Sequence, residues 1–314
     1  MLTIFSTPKP FRGHSGIIQR NALHSWTLLH PDAEVILFGN EDGAAEICQE
    51  LRIRHEPEVR RNDNGTKYLN YLFDRARDLS RHKYLCYANC DIMLMPDFCE
   101  ALKVTATAHD EFLMIGRRWD TDITGLWDFQ HSEWDQQLRS LALRRGRQKG
   151  SSWVDYFCFS RDLYYKKMPP FLIGRNGWDP WLTWFARNNR VPLVDASRVV
   201  VAVHQNHDYA YLKRGTTTAV SDAEANYNWN LGGTAAWRYY TTDAATEKFV
   251  GGRLKAHRLA WFGPLKARVG RCAYQTWFYC LTLTRPVRHR LGLRKAFAIG
   301  PSRHAADRAC KTDV

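Results

Sequence analysis

The sequence predicts an α/β fold, a mainly parallel sheet flanked by helices, with a basic helical carboxyl-terminal extension. Strand-length apolar runs alternate with helix-length amphipathic segments, the pattern of a sheet covered by helices. One run, Tyr84–Asp97, is almost continuously apolar, as in a strand packed on both faces. The charge is also divided sharply along the chain: residues 1–247 hold 30 Lys plus Arg against 30 Asp plus Glu, and residues 248–314 hold 15 against 2.

The elements follow in order. Leu2–Phe5 reads as a first strand, stopped by Pro8 and Pro10, and Ile17–Leu29 carries apolar residues at roughly helical spacing. Glu34–Phe38 is the second strand, closed by Gly39-Asn40, and Ala44–Leu51 a helix. Lys67–Leu79 places Tyr68, Leu69, Leu72, Phe73, Ala76 and Leu79 on one face and leads into the Tyr84 strand. Further strands are expected at Phe112–Ile115, Trp153–Phe159 and Ser197–Val203, with a helix over Asp179–Asn188. The Arg-rich stretch from Arg117 to Gly150 reads as largely solvated, ending in a mobile loop after a helix.

With 314 residues, 45% hydrophobic and 13% aromatic, the chain is long and apolar enough for one large domain plus an appendage, taken as 1–247 and 248–314. No run of apolar residues reaches membrane-spanning length, and the start lacks a signal-peptide pattern, so a cytoplasmic location is the default expectation. The eight cysteines form no CxxC pair and read as reduced core residues. The net charge of +13 belongs to the tail and says nothing about a site in the body.

The single carboxylate of the Tyr84 run before Pro96, Asp91, needs a physical reason, because burying it unpaired costs several kcal/mol. Ligands of open α/β sheets bind at the carboxyl ends of strands, so an Asp where a strand gives out suits a cation carrying phosphates. The plain alternative is a turn-capping Asp, or one paired with an arginine. Asn89-Cys90-Asp91 is therefore the expected centre of the site.

Several segments together resemble the nucleotide-sugar-dependent glycosyltransferases of the GT-A fold, over about residues 1–235. They are Ile4–Pro8, Phe38–Asp42, Asn64–Thr66, Tyr87–Asp91, Gly177–Trp181 and His204–Tyr209. The resemblance implies a Rossmann-like nucleotide-diphospho-sugar transferase domain that moves a sugar from a nucleoside diphosphate to an acceptor hydroxyl. In that family an Asp-x-Asp holds Mn²⁺ or Mg²⁺; here Asn89 replaces the first Asp and Asp91 is the metal ligand. The late ligand implied is His204 or His207. Being three apart after a strand, they share a direction only if the chain turns, so one is expected to ligate and the other to orient or touch substrate. Asp179, at a helix start, is the implied catalytic base, which weakly favours inversion of configuration; an Asp before Pro180 is equally an ordinary helix cap. The donor nucleotide is assigned to Thr7, Pro8, Asn40, Glu41, Asp42, Gly65, Thr66, Asn70 and Asn89, and the sugar to Asp155. Trp178, Trp181 and Trp184 are read either as sugar platforms or as core, and Arg61, Arg117 and Arg118 either as diphosphate contacts or, by preference, as surface cations.

The tail has no acidic residue from Lys248 to Ala306, and Trp261, Phe262, Tyr274, Trp277, Phe278 and Tyr279 are interleaved with Lys and Arg. That mixture suits peripheral attachment to an anionic membrane, presenting a glycan or lipid-linked acceptor; helices packed on the body with basic outer faces are the alternative. No nucleic-acid recognition module is seen. Two rival functions remain open. A sugar nucleotidyltransferase would need a glycine-rich basic loop near the start, where Lys9-Pro10-Phe11-Arg12-Gly13 is a poor version. A non-catalytic scaffold on a membrane or nucleic acid would bind no sugar nucleotide.

Overall fold

The computed structural model describes residues 1–207, 223–236, 241–257 and 260. The first part runs β1 (Leu2–Ser6), α1 (Gly13–Thr27), β2 (Glu34–Phe38), α2 (Ala44–Leu51), β3 (Arg54–Glu56), α3 (Leu69–Leu79), β4 (Tyr84–Ala88), β5 (Ile92–Met93) and α4 (Pro96–Ala108). The rest adds β6 (Leu113–Thr121), α5 (Trp134–Arg145), β7 (Arg147–Gln148), β8 (Val154–Ser160), α6 (Trp178–Asn188), β9 (Leu193–Asp195), β10 (Ala202–Gln205), α7 (Ala223–Ala236), β11 (Glu247–Val250) and β12 (Arg253–Ala256).

The main sheet has the order β12-β11-β9-β6-β8-β4-β1-β2-β3. β1 pairs in parallel with β2 and β4, and β6 with β9, whereas β8 is antiparallel to both its neighbours. The α/β class and the mostly parallel sheet are therefore as the sequence predicts. Alternate residues of the central strands serve opposite layers: Ile4 and Cys86 join Trp26 and Phe98 on one side, and Phe5 and Tyr87 join Phe73 and Trp181 on the other. The second layer is built on aromatic geometry, with Phe73 stacked on Phe159 at 5.3 Å and edge-on to Phe5 at 5.0 Å. Trp178 and Trp181 are buried in this layer, so the core reading holds for both.

Three expectations change. The Tyr84–Asp97 run is not one strand. β4 stops at Ala88, the chain turns through Asn89–Ile92 with the Ile92 amide donating to the Asn89 carbonyl (3.1 Å), and Pro96 opens α4. Apolar composition hid the turn because Tyr87 and Ala88 before it and Leu94 and Met95 after it are all buried. Ser197–Val203 is likewise a turn followed by a strand that starts at Ala202 and carries His204 within it. The polar stretch after Ile115 is ordered, since β6 continues to Thr121 and α5 lays Trp134 and Leu138 on a third apolar cluster with Met93 and Val203.

Chain contacts gather into two units, Met1–Leu265 and Lys266–Val314. The sheet continues through the composition change at residue 247, because β11 pairs with β9 and β12 pairs with β11. The basic tail begins with β11 and β12 in place of a helix; the helices expected farther along it, and Tyr209 beside the histidines, lie outside the described residues. Among those described, no helix is long and apolar enough to cross a membrane, and Cys48, Cys86, Cys90, Cys99 and Cys158 are buried free thiols.

Candidate functional site

The site grows from the turn that ends β4. β10 lies between β5 and β6, with His204 opposite Ile92 on one side and Asp120 on the other. The Gln205 amide donates to the Asp91 carbonyl (3.3 Å), and the Gln205 side chain donates to the carbonyls of Ile18 (2.7 Å) and Asp91 (3.2 Å). This cross-bracing fixes the 91 turn against the end of β10. Beyond Gln205 the Asn206 amide bonds to the Thr121 carbonyl, and the His207 side chain reaches Asp91.

Both histidines reach the same carboxylate. His207 Nε2 donates to Asp91 Oδ2 at 3.1 Å, and His204 Nε2 lies 3.9 Å from the same oxygen. One ligand atom from each of Asp91, His204 and His207 falls within a 4.8 Å cluster. The side chains are 16%, 5% and 6% exposed respectively. Burial by itself would raise the Asp91 pKa. The His207 hydrogen bond and the nearby His204 and Lys9 instead hold it far below the usual carboxylate range. Asp91 Oδ1 is buried with no hydrogen-bond partner among the described residues. An orphaned anionic oxygen beside two imidazole nitrogens is a donor set that a divalent cation would complete, and two imidazoles favour Mn²⁺ over Mg²⁺.

A chain of polar side chains runs outward from this cluster. His204 Nδ1 lies 3.1 Å from Asp120 Oδ1. The Arg118 guanidinium bridges Asp120 (2.8 Å) and Asp155 (2.8 Å), and Asp155 accepts from the Asn89 amide side chain at 2.7 Å. Arg118 and Lys149 each sit 4.6 Å from the Trp153 ring centre, and Lys149 Nζ is 3.4 Å from Asp120. Asp120 is lowered to about 2: burial opposes this, and the contacts with His204, Arg118 and Lys149 outweigh it. The surface reading of Arg118 is corrected, since its side chain is 7% exposed and clamps two carboxylates. Sequence reasoning missed Asp120. Its signal was weak, because Asp120 follows Gly116-Arg117-Arg118 in a stretch that reads as polar and solvated, so its charge does not stand out as that of Asp91 does.

The other candidates form a second group on the β1–β2 side. Lys67 is buried; it donates to the Thr7 hydroxyl and to the Pro8 carbonyl (3.3 Å), and pairs with Glu41 at 2.6 Å. Burial lowers the Lys67 pKa, opposed by Glu41. Arg61 donates to Glu41 (2.9 Å) and Asn40 (3.2 Å), while Asp42 is exposed and paired with Arg12. Glu41 Oε2 and Asn70 Oδ1 are buried without hydrogen-bond partners among the described residues. Gly39, at φ 116°, takes a conformation that favours glycine, and an added Cβ would meet Glu41 and Lys67 at 2.3 and 2.9 Å. Gly65 turns the 62–66 loop at φ 80°, and the Thr66 hydroxyl is committed to Glu224. Asn40 and Asn70 line grooves that no member of the Asp91 cluster shares.

Asp179 lies half-buried in the first turn of α6, behind Gly177 at φ 112°. The neighbouring Trp178 ring packs on Tyr87 and Phe157, each at 5.4 Å, so this helix start is set against the strand that leads into Asn89.

No family model matches the chain, and no curated protein matches it. Solved structures do. Glucosyl-3-phosphoglycerate synthase from Mycobacterium tuberculosis, in complex with Mg²⁺ and UDP, is similar at 12% identity and TM-score 0.43 over 82% of this chain and 86% of that one. The same enzyme with Mn²⁺, UDP and glucosyl-3-phosphoglycerate gives 11%, 0.44, 82% and 87%. S. aureus TarS 1-349 with UDP-GlcNAc gives 8%, 0.43, 75% and 71%. Identities this low and TM-scores below 0.5 leave the role of every residue to the geometry of this chain. Its architecture is the expected mainly parallel α/β sheet, with an Asp–His–His cluster beyond the carboxyl end of a central strand.

Proposed function

We propose that the chain is a glycosyltransferase that moves a sugar from a nucleoside diphosphate sugar to an acceptor hydroxyl. The observation that carries this reading is the buried Asp91–His204–His207 cluster with its orphaned carboxylate oxygen, placed where open α/β sheets bind ligands. These three residues would hold a divalent cation, Mn²⁺ or Mg²⁺. When bound, it would neutralise the charge that builds on the departing diphosphate.

The remaining roles follow from position. Asn89 and Asp155, joined to each other, border the cluster and would meet the donor sugar or ribose. Thr7, Pro8 and Glu41, gathered round Lys67, would face the nucleoside, with Asn40, Asp42, Gly65, Thr66 and Asn70 more peripheral. Asp179 would take the proton of the acceptor hydroxyl, which implies direct displacement with inversion. A glycan or lipid-linked acceptor, and attachment of the basic tail to the inner face of a membrane, extend the same reading. The nucleotidyltransferase alternative gains no support from the β1–α1 connection, where only Gly13 is available to wrap a pyrophosphate.

The test is a thermal-shift panel of UDP, GDP, CDP and dTDP sugars with and without Mn²⁺, on wild type and Asp91→Asn. A ligand at 100 times its dissociation constant stabilises by about 2.7 kcal/mol. The expected result is a Mn²⁺-dependent shift with one base class, lost in Asp91→Asn. No shift with any donor, or an undiminished shift in the variant, overturns the proposal.

A further inference from the structure

The two histidines are held differently. His207 reaches Asp91 from the segment just after β10, whereas His204 is fixed in the strand, opposite Asp120 in the register of β10 and β6. Its ring lies between two carboxylates, with Nε2 3.9 Å from Asp91 and Nδ1 3.1 Å from Asp120. An imidazole can lend a lone pair at Nε2 only if its proton sits on Nδ1, and a carboxylate beside Nδ1 selects that tautomer. The Nδ1 contact has the length of a hydrogen bond without its alignment, so the ring must turn to complete it. Asp120 cannot readily follow the ring, because Arg118 Nε (2.8 Å) and Lys149 Nζ (3.4 Å) pin its two oxygens. Arg118 is itself pinned, by Asp155 and over Trp153.

We propose that Asp120 is the positioning residue of the site: it holds His204 by Nδ1 so that Nε2 faces Asp91, and Arg118 ties that hold to the Asn89–Asp155 pair. The metal-binding consequence rests on the proposed function; the tautomer does not. A pre-set imidazole gains affinity because its orientation is fixed by the fold before any ligand arrives. It also gives the Asn89–Asp155 side of the site a route to the metal side through two charge-assisted hydrogen bonds.

The experiment uses the full chain, metal-free, with ¹⁵N-labelled histidine at pH 8, the His204 ring being assigned with His204→Gln. Wild type is expected to show the Nδ1–H tautomer at His204. Asp120→Ala is expected to move the ring toward Nε2–H, while Asp120→Asn, which keeps an acceptor oxygen, retains Nδ1–H. Mn²⁺ affinity, read from the free-ion electron paramagnetic resonance signal, should fall about 10- to 100-fold in Asp120→Ala and less in Asp120→Asn. An Nε2–H ring in wild type overturns the proposal even if Asp120→Ala fails to fold, and so does an unchanged tautomer in a folded Asp120→Ala. A wild type that ignores Mn²⁺ but shows the Asp120-dependent tautomer removes the metal reading and leaves Asp120 as the positioning group.

Discussion

Glu224 offers a prediction whose magnitude can be worked from its partners. Its side chain is 11% exposed, near the start of α7, and it gathers the 62–66 loop. Oε1 accepts from Asn62 (2.7 Å), Asn64 (3.2 Å) and Thr66 (2.9 Å), and Oε2 accepts from Thr66 (3.0 Å) and pairs with Arg175 (2.8 Å). Glu224→Ala strips a part-buried network of its only anion among these groups and leaves several donors and one guanidinium behind. Removing one partner of a buried pair costs about 3–5 kcal/mol, whereas a single hydrogen bond to a charged group is worth about 1.5–3. Glu224→Ala should therefore lose about 3–5 kcal/mol in urea unfolding at pH 7, and Glu224→Gln less than half of that. Burial raises the Glu224 pKa, but its hydrogen bonds and Arg175 leave it below the ordinary 4.5. Its stabilisation is thus fully present above the unfolded-state value and fades as pH falls through the folded one, so the Glu224→Ala deficit should shrink in acid. A double-mutant cycle with Thr66→Ala should give a coupling above about 0.5 kcal/mol. A loss below about 1 kcal/mol, or additive single effects, would refute the argument.

Two further outcomes follow. Burial pushes the Asp97 carboxyl up to about 6, against its bonds to the Val201 amide and Arg139. A raised acid stabilises the fold while protonated, so wild type should lose up to about 3 kcal/mol relative to Asp97→Asn between pH 4 and 6; parallel stability curves would contradict this. On the proposed function, Asp179→Asn should lower kcat about 100- to 10,000-fold with donor binding retained, and an unimpaired variant would exclude Asp179 as the base.

Local pattern was enough for much of the scaffold. Glu34–Phe38 and Ala44–Leu51 appear with the expected bounds because each is a single uniform pattern closed by its own stop, Gly39 in the first case. Asp91 was legible for a related reason, a lone charge in an apolar run. The Asn89–Ile92 turn was not, because residues on both sides of it are equally buried and hydrophobicity does not record a change of direction.

The sequence by itself determined the class of fold and the two-sided burial of the central strands, and it singled out Asp91, the centre of the proposed site, since these depend on local periodicity and on the cost of an isolated charge. Tertiary structure alone decided that both histidines converge on Asp91, that Asp120 backs His204, and that Arg118 is a buried clamp rather than a surface cation. Those facts depend on the register of β10 against β6 and on chain returns over long sequence separations. A pairing of distant residues leaves no trace in the pattern of either segment alone.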